Sequence, residues 1–404
     1  MPDDADVVIT GLGLVLPHGV GLGAAEPVFE GRSAVCRLPE MAGVPDATGA
    51  PLRRFVAPKG TEEADRAVQF AVAAVSEAWN GANLSERTPA PGRIATIISL
   101  SKGGILSLCQ AARRPADLPP WPAQAGADAA TCAVARRWRL AGPTAVPITA
   151  CASGGHALVW GARLIRRGAA DVAIVGAAEA SLHPLILGSY RRMGVLAAGG
   201  ADPDSSVRPF SATRRGFAIG EGAGILVLES AAGAARRDVR PLANVAAWAT
   251  GCEAVSLTDM DPTGRTQAHL ITEALRRAGL EPAAVDYVHA HGTATLLNDP
   301  AEARAIRSAL GKAAAAVSVS STKASHGHLL GAATAVELVL TVLAMERNVV
   351  PPTANLTDPD PEIDLDCTPL QPRRRPVRCA VKIAGGFGGQ TLAVVLKKIG
   401  GSDA

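Results

Sequence analysis

Ile148-Thr149-Ala150-Cys151-Ala152-Ser153-Gly154-Gly155-His156 sets one cysteine among small residues, directly ahead of an apolar run from Ala157 to Ile165. That run reads as a helix. A thiol at a helix start faces free backbone N–H groups and the positive end of the helix dipole, which favour the nucleophilic thiolate. Alone, such a cysteine also reads as a small buried structural residue. Two histidine motifs far downstream, His291-Gly292-Thr293 and Lys323-Ala324-Ser325-His326-Gly327-His328, complete a Cys/His/His set.

Around that set, short β-branched or aliphatic runs bounded by Gly or Pro read as buried strands, at 7–10, 94–100, 172–176, 225–228, 285–290, 317–320 and 392–396. Helical stretches at 61–79, 156–167, 266–278, 301–310 and 329–345 separate them. The alternation implies an α/β layered fold with mostly covered sheets. The rhythm restarts after Arg240, dividing the chain into residues 1–240, with the cysteine, and 241–404, with both histidine motifs. The Pro-rich segments 113–129 and 351–375 read as surface loops.

Several motifs follow one another in a telling order. They are Val7-Val8-Ile9-Thr10-Gly11-Leu12-Gly13, Gly142-Pro143, the cysteine stretch, Asp171-Val172-Ala173-Ile174-Val175-Gly176-Ala177-Ala178-Glu179 and Arg208-Pro209-Phe210. Gly216-Phe217-Ala218-Ile219-Gly220-Glu221-Gly222-Ala223-Gly224, the two histidine motifs and Gly386-Phe387-Gly388-Gly389 come next. Over nearly its whole length the chain resembles the β-ketoacyl synthases, the condensing enzymes of fatty-acid and polyketide assembly. The resemblance implies a thiolase-like fold, two similar halves in an α-β-α-β-α arrangement. It implies decarboxylative Claisen condensation of a cysteine-bound acyl thioester with a malonyl-type unit, in polyketide or specialised fatty-acid biosynthesis. Two other readings stay open: acyl transfer by the same cysteine without a new carbon–carbon bond, and one subunit of a ketosynthase/chain-length-factor heterodimer.

By that resemblance Cys151 carries the acyl chain, while His291 and His328 bind the malonyl thioester oxygen as neutral Nε2–H donors. Lys323 and Glu337 match a buried pair, the lysine supporting His328. The backbone N–H groups of Cys151 and Gly385 would form the oxyanion hole, and Thr293 and Thr295 would line the pantetheine arm. Asp299 and Glu302 match acidic groups behind the site, although Asp299 also reads as a helix cap ahead of Pro300. Phe387 belongs to the closing glycine-rich loop. No cofactor is implied, because substrates ride on the phosphopantetheine of an acyl carrier protein. The implied partners are that carrier and a second subunit, in a homodimer or a heterodimer with a homologous chain-length factor.

The chain departs from the pattern at Gly385, where relatives carry a gating Phe. His326 and Tyr190 are the side chains expected in the vacated room. His289-x-His291 and His326-x-His328 also form two HxH pairs that could hold zinc. Only one histidine of each pair matches the family motif, so no metal is expected. The early Gly11-x-Gly13 lacks the third glycine of a dinucleotide loop and has Pro17 where its helix would begin.

The 404 residues suit two packed domains or one large duplicated one, and 42 glycines with 3% aromatics suit tight backbone approaches. A net charge of +3 is too small for a nucleic-acid partner. Scattered Arg doublets such as Arg113-Arg114 and Arg166-Arg167 are solvated surface, or help to dock an acidic carrier. Seven dispersed cysteines without a CxxC pair, and an acidic N-terminus, fit a reduced cytoplasmic protein. The apolar run 329–345 contains Glu337 and is too short to span a membrane.

Overall fold

The computed structural model describes residues 6–41, 43–113 and 125–400. Nine strands form its main path: β1 (Val7–Leu16), β2 (Ile94–Leu100), β3 (Val172–Glu179), β4 (Gly222–Ser230), β5 (Ala243–Cys252), β6 (Tyr287–His289), β7 (Ser318–Ser320), β8 (Cys379–Gly385) and β9 (Gln390–Lys398). Their order is β7-β6-β8-β9-β5-β1-β4-β3-β2. Strands after residue 240 therefore lie on one side and strands before it on the other. The two wings meet through one short antiparallel pairing, Val8 with Asn244 and Ile9 with Ala243.

Five helices matter to the site: α1 (Arg66–Gly81), α2 (Ser153–Arg166), α3 (Arg265–Arg277), α4 (Asn298–Leu310) and α5 (Ala333–Arg347). The strands are apolar on both faces, and the faces alternate between clusters, as period-two geometry requires. In β4, Leu226 and Leu228 join a central cluster with α2 and α5, while Ile225 and Val227 face α1. In β9, Leu392 and Val394 join the same central cluster, while Ala393 and Val395 face α3 and α4. The result is five layers: α1, one wing of strands, α2 with α5, the other wing, then α3 with α4. This is the expected α-β-α-β-α thiolase-like arrangement.

The middle layer explains the small residues. A side chain at Gly154 would place its Cβ 2.5 Å from that of Ala335, so α2 and α5 touch backbone to backbone where the cysteine and the second histidine enter. Gly13 serves the outer face in the same way, with a Cβ there falling 1.8 Å from the carbonyl oxygen of Ala74 on α1.

Most element boundaries differ from the expected ones by a few residues, for local reasons. The helix expected from 61 begins at Arg66, because Asp65 caps it by accepting from the Ala67 N–H at 2.9 Å. The helix expected from 329 begins at Ala333, after a turn in which Leu330 has φ +47°. Strands β5 and β8 were not expected. Segment 351–375 is irregular apart from the two-residue strand Arg373–Arg374, and it is no simple surface loop: Leu356, Ile363 and Cys367 are buried in the outer cluster. Of the expected loop 113–129, residues 114–124 lie outside the described residues. Among the described residues, no helix is long and apolar enough to cross a membrane.

Candidate active site

Cys151 sits in the tight turn Ala150–Ala152 that leads into α2. Ala150, just before it, has φ +48°, a left-handed conformation that a non-glycine residue adopts only under constraint. Ser153 supplies part of that constraint, its Oγ accepting from the Thr149 N–H at 3.0 Å and donating to the Ala150 carbonyl at 2.7 Å. Thr334 on the neighbouring turn of α5 donates to the Cys151 carbonyl at 2.7 Å. The thiol thus points where the backbone aims it. Burial pushes it up to about 11, against the pull of Lys102 and Lys323, so the resting pocket holds a thiol and not the thiolate expected from the helix start alone.

His291 and His328 reach the same point from the other half. One ligand-type atom of each, with the Cys151 sulfur, lies within 4.8 Å of the others, and the two rings meet edge to face with centroids 5.4 Å apart. Burial drives both imidazoles well below their ordinary value, with the Lys323 charge adding to the shift, so both are neutral. The Leu330 N–H donates to Nδ1 of His328 at 3.2 Å, which leaves its proton on Nε2. Phe217 packs edge-on against that ring at 4.7 Å.

The two HxH pairs do not converge. His289 and His326 are buried behind the site in a chain running Thr341–His289–Thr322–His326, with links of 2.9, 3.1 and 2.8 Å. One end of the chain rests on the Glu337 carbonyl and the other on the Gly327 carbonyl. Five links then share four protons, two from threonine hydroxyls and two from neutral imidazoles, so one link goes unfilled. Neither pair is a strand pair, since β6 stops at His289 and His326 ends a short helix, Lys323–His326.

Lys323 and Glu337 are both fully buried and paired, as expected. Toward His328 the lysine acts through its charge and not through a hydrogen bond. It donates to the carbonyl of His291, and this corrects the expected partner. Lys382, which the sequence reading missed, takes the second oxygen of Glu337 at 2.7 Å. Burial alone would raise Glu337, but the two ammoniums outweigh it and hold the carboxyl well below the usual range.

Glu302 accepts the N–H groups of His291 at 2.5 Å and Gly292 at 2.7 Å, and burial nonetheless pushes its carboxyl up to about 7. Asp299 accepts from Phe210 at 2.8 Å and Ala294 at 3.1 Å. It braces the turn after His291 and is not the cap of α4, which begins one residue earlier at Asn298. Thr293 and Thr295 line the cavity above the three reactive groups, their hydroxyls 2.9 Å apart. Glu179, quoted only as part of a motif, accepts from the Gly331 N–H at 3.1 Å and so holds the turn that follows His328.

The cavity is about 360 Å³, mostly apolar, and lined by Cys151, His291, His328, Gly385 and Phe387 among others. Gly386 donates to the Gln390 carbonyl at 2.7 Å. Ladder bonds alternate in an antiparallel pair, so the Gly385 N–H is turned away from β9. A Cβ on Gly385 would lie 3.4 Å from Met260 Cε, 3.5 Å from Gln267 Nε2 and 3.9 Å from His291 Cδ2. Met260 and Gln267, not the expected His326 and Tyr190, therefore border the space beside Gly385. Tyr190 packs against Phe387 and Phe217, each at 6.0 Å.

The β-ketoacyl synthase N-terminal domain model matches residues 4–234 and the C-terminal domain model residues 242–357. The chain is 34% identical to the oxytetracycline polyketide putative beta-ketoacyl synthase 1 of Streptomyces rimosus, over 98% of both chains. It is 35% identical to the 3-oxoacyl-[acyl-carrier-protein] synthase 2 of a Synechocystis strain, over 97% of this chain and 98% of that one. Among solved structures, a type II polyketide ketosynthase in complex with its acyl-carrier protein and bound to a hexaketide superposes with a TM-score of 0.90 at 32% identity, covering 99% of this chain and all of that one. The chain belongs to the β-ketoacyl synthase family, the condensing enzymes of fatty-acid and polyketide assembly.

Proposed function

We propose that this chain is an acyltransferase of the ketosynthase kind, with Cys151 as nucleophile and His291 and His328 as the decarboxylation pair. The observation that carries the reading is the meeting of these three groups within 4.8 Å at the floor of one cavity. The Cys151 sulfur attacks an acyl thioester, its proton passes to the departing carrier thiol, and the acyl group stays on the cysteine. A malonyl thioester then binds with its carbonyl oxygen on the Nε2–H groups of the two histidines. Loss of CO2 leaves its electron pair as an enolate, which neutral donors stabilise. The enolate carbon attacks the Cys151 thioester, the new carbon–carbon bond forms as the carbon–sulfur bond breaks, and the Cys151 thiolate that leaves takes up a proton from solvent. Backbone N–H groups of Cys151 and Gly385 hold the tetrahedral oxyanion in this scheme.

Thr293 and Thr295, in the cavity wall, fit a pantetheine arm, and the substrates' carrier would be an acyl carrier protein like the one bound by the solved relative. The chain would act with a second chain of the same fold, a copy of itself or a chain-length factor. The halves 1–240 and 241–404 would each contribute one side of the site. A free Cys151 is needed for acylation, so the centre would work without a metal. The test is condensation of an acyl-carrier and a malonyl-carrier thioester by the purified chain and its co-purifying subunit. A β-ketoacyl product is expected, whereas acyl transfer to other acceptors with no carbon–carbon bond would overturn the reading.

A further inference from the structure

Lys382 lies in β8 between Val381 and Ile383, fully buried, and the scheme above gives it no role. Its ammonium donates to the carbonyls of Ala290 at 3.0 Å and His289 at 3.3 Å and pairs with Glu337 at 2.7 Å. Lys323 holds the other oxygen of Glu337 and the carbonyl of His291. Two ammoniums on one carboxylate thus hold three successive carbonyls, 289 to 291. From the opposite side Glu302 takes the N–H groups of His291 and Gly292. A buried ion is costly unless paired and hydrogen-bonded, and here the Lys382 ammonium has two carbonyls and a carboxylate around it.

We propose that Lys382 is a positioning residue for His291: by sharing Glu337 with Lys323 it fixes the backbone from which the imidazole projects toward Cys151. The proposal rests on the reading of His291 as a decarboxylation residue. The charged groups around Lys382 are Glu337 on α5, Lys323 on the helix Lys323–His326 and Glu302 on α4; His289 and His291, on its own carbonyl track, are neutral. Burial brings Lys382 down to about 8, with Glu337 resisting. Above that pH the ammonium loses its charge and its grip on Glu337, and His291 slackens.

Three quantities are measured on the purified full-length chain: acylation of Cys151 by intact mass, and kcat and KM for decarboxylation of a malonyl-carrier thioester across pH 6–10. In Lys382→Met, Cys151 is acylated as in the wild type, while decarboxylation kcat falls about 10- to 100-fold with KM changed less than about threefold. The wild type loses kcat as pH rises through 8, and the variant, already slack, does not. Lys382→Gln, which keeps a donor but no charge, behaves like Lys382→Met. If neither variant folds, the wild-type profile decides: an alkaline loss confined to kcat supports the role, and a flat kcat through pH 9 overturns it. Unchanged kcat in either folded variant also overturns it. Failure of the wild type to acylate Cys151 at all would instead sink the functional reading on which this rests.

Discussion

The Leu330 N–H points at Nδ1 of His328 from 3.2 Å, so a neutral His328 can carry its proton only on Nε2. The donor is a backbone group in a turn held by Glu179 at Gly331, and no side-chain movement can withdraw it. A donor aimed in advance at a developing enolate needs no reorganisation during the reaction.

His328→Ala should therefore lose decarboxylation of malonyl-carrier thioester by about 10²- to 10³-fold, the cost of removing one oxyanion donor elsewhere. Transfer of an acyl group onto Cys151 should survive. Release of labelled CO2 checks the first statement and intact mass the second. Wild-type CO2 release from the variant would remove His328 from the scheme.

Lys323→Ala should lose stability along with activity. It would leave Glu337 with one cation instead of two and His291 with a free carbonyl. Breaking a buried pair typically costs ~3–5 kcal/mol, though Lys382 should keep this loss at the low end. Urea unfolding of wild type and variant measures the difference. A fully stable, active Lys323→Ala would make the pair incidental.

Gly385→Phe should restore a gate. A Cβ fits at ordinary van der Waals distance, but a ring must displace Met260 or Gln267. Acylation of Cys151 by long or bulky chains should slow more than acylation by acetyl, read from time courses of intact mass. Equal slowing of short and long donors would mean that this loop does not control access.

The buried histidine chain sets an acid limit on stability. Burial lowers His326 from its ordinary 6.5 to about 3. The unfolded chain takes up its proton as pH falls below 6.5 while the folded chain does not, so stability is full above 6.5 and is lost as pH falls toward 3. One such group contributes up to about 1.4 kcal/mol per pH unit inside that window. His326→Gln should flatten the fall by roughly that slope between pH 4 and 6, measured by denaturant titration at each pH. An unchanged slope would mean that His326 is already charged in the folded chain.

Most of the site was legible because its chemistry is local in sequence. The turn around Cys151, the His291 segment and the Lys323–His328 stretch are each contiguous, and each brings one reactive side chain to the cavity. The missed parts are those set by tertiary contact. Lys382 sits inside an apolar strand, Val381-Lys382-Ile383, where an interior lysine signals a buried partner, but no spacing says which carboxylate it meets. The Ala-rich β5 has weak intrinsic strand preference and is a strand because β9 and β1 lie beside it. The thiolate expected at Cys151 failed because burial, which depends on the whole fold, outweighs the local helix start. His326 and Tyr190 were misplaced for a similar reason: the occupants of the Gly385 room come from segments distant in sequence, Met260 and Gln267.

Whether Cys151 carries the growing chain is read out by intact-mass analysis after exposure to an acyl-carrier thioester. One acyl adduct per wild-type chain is expected, located to Cys151 by peptide mapping, and none on Cys151→Ala, although Cys36, Cys109, Cys132 and Cys252 are more accessible. An adduct that persists at full stoichiometry in Cys151→Ala would contradict it.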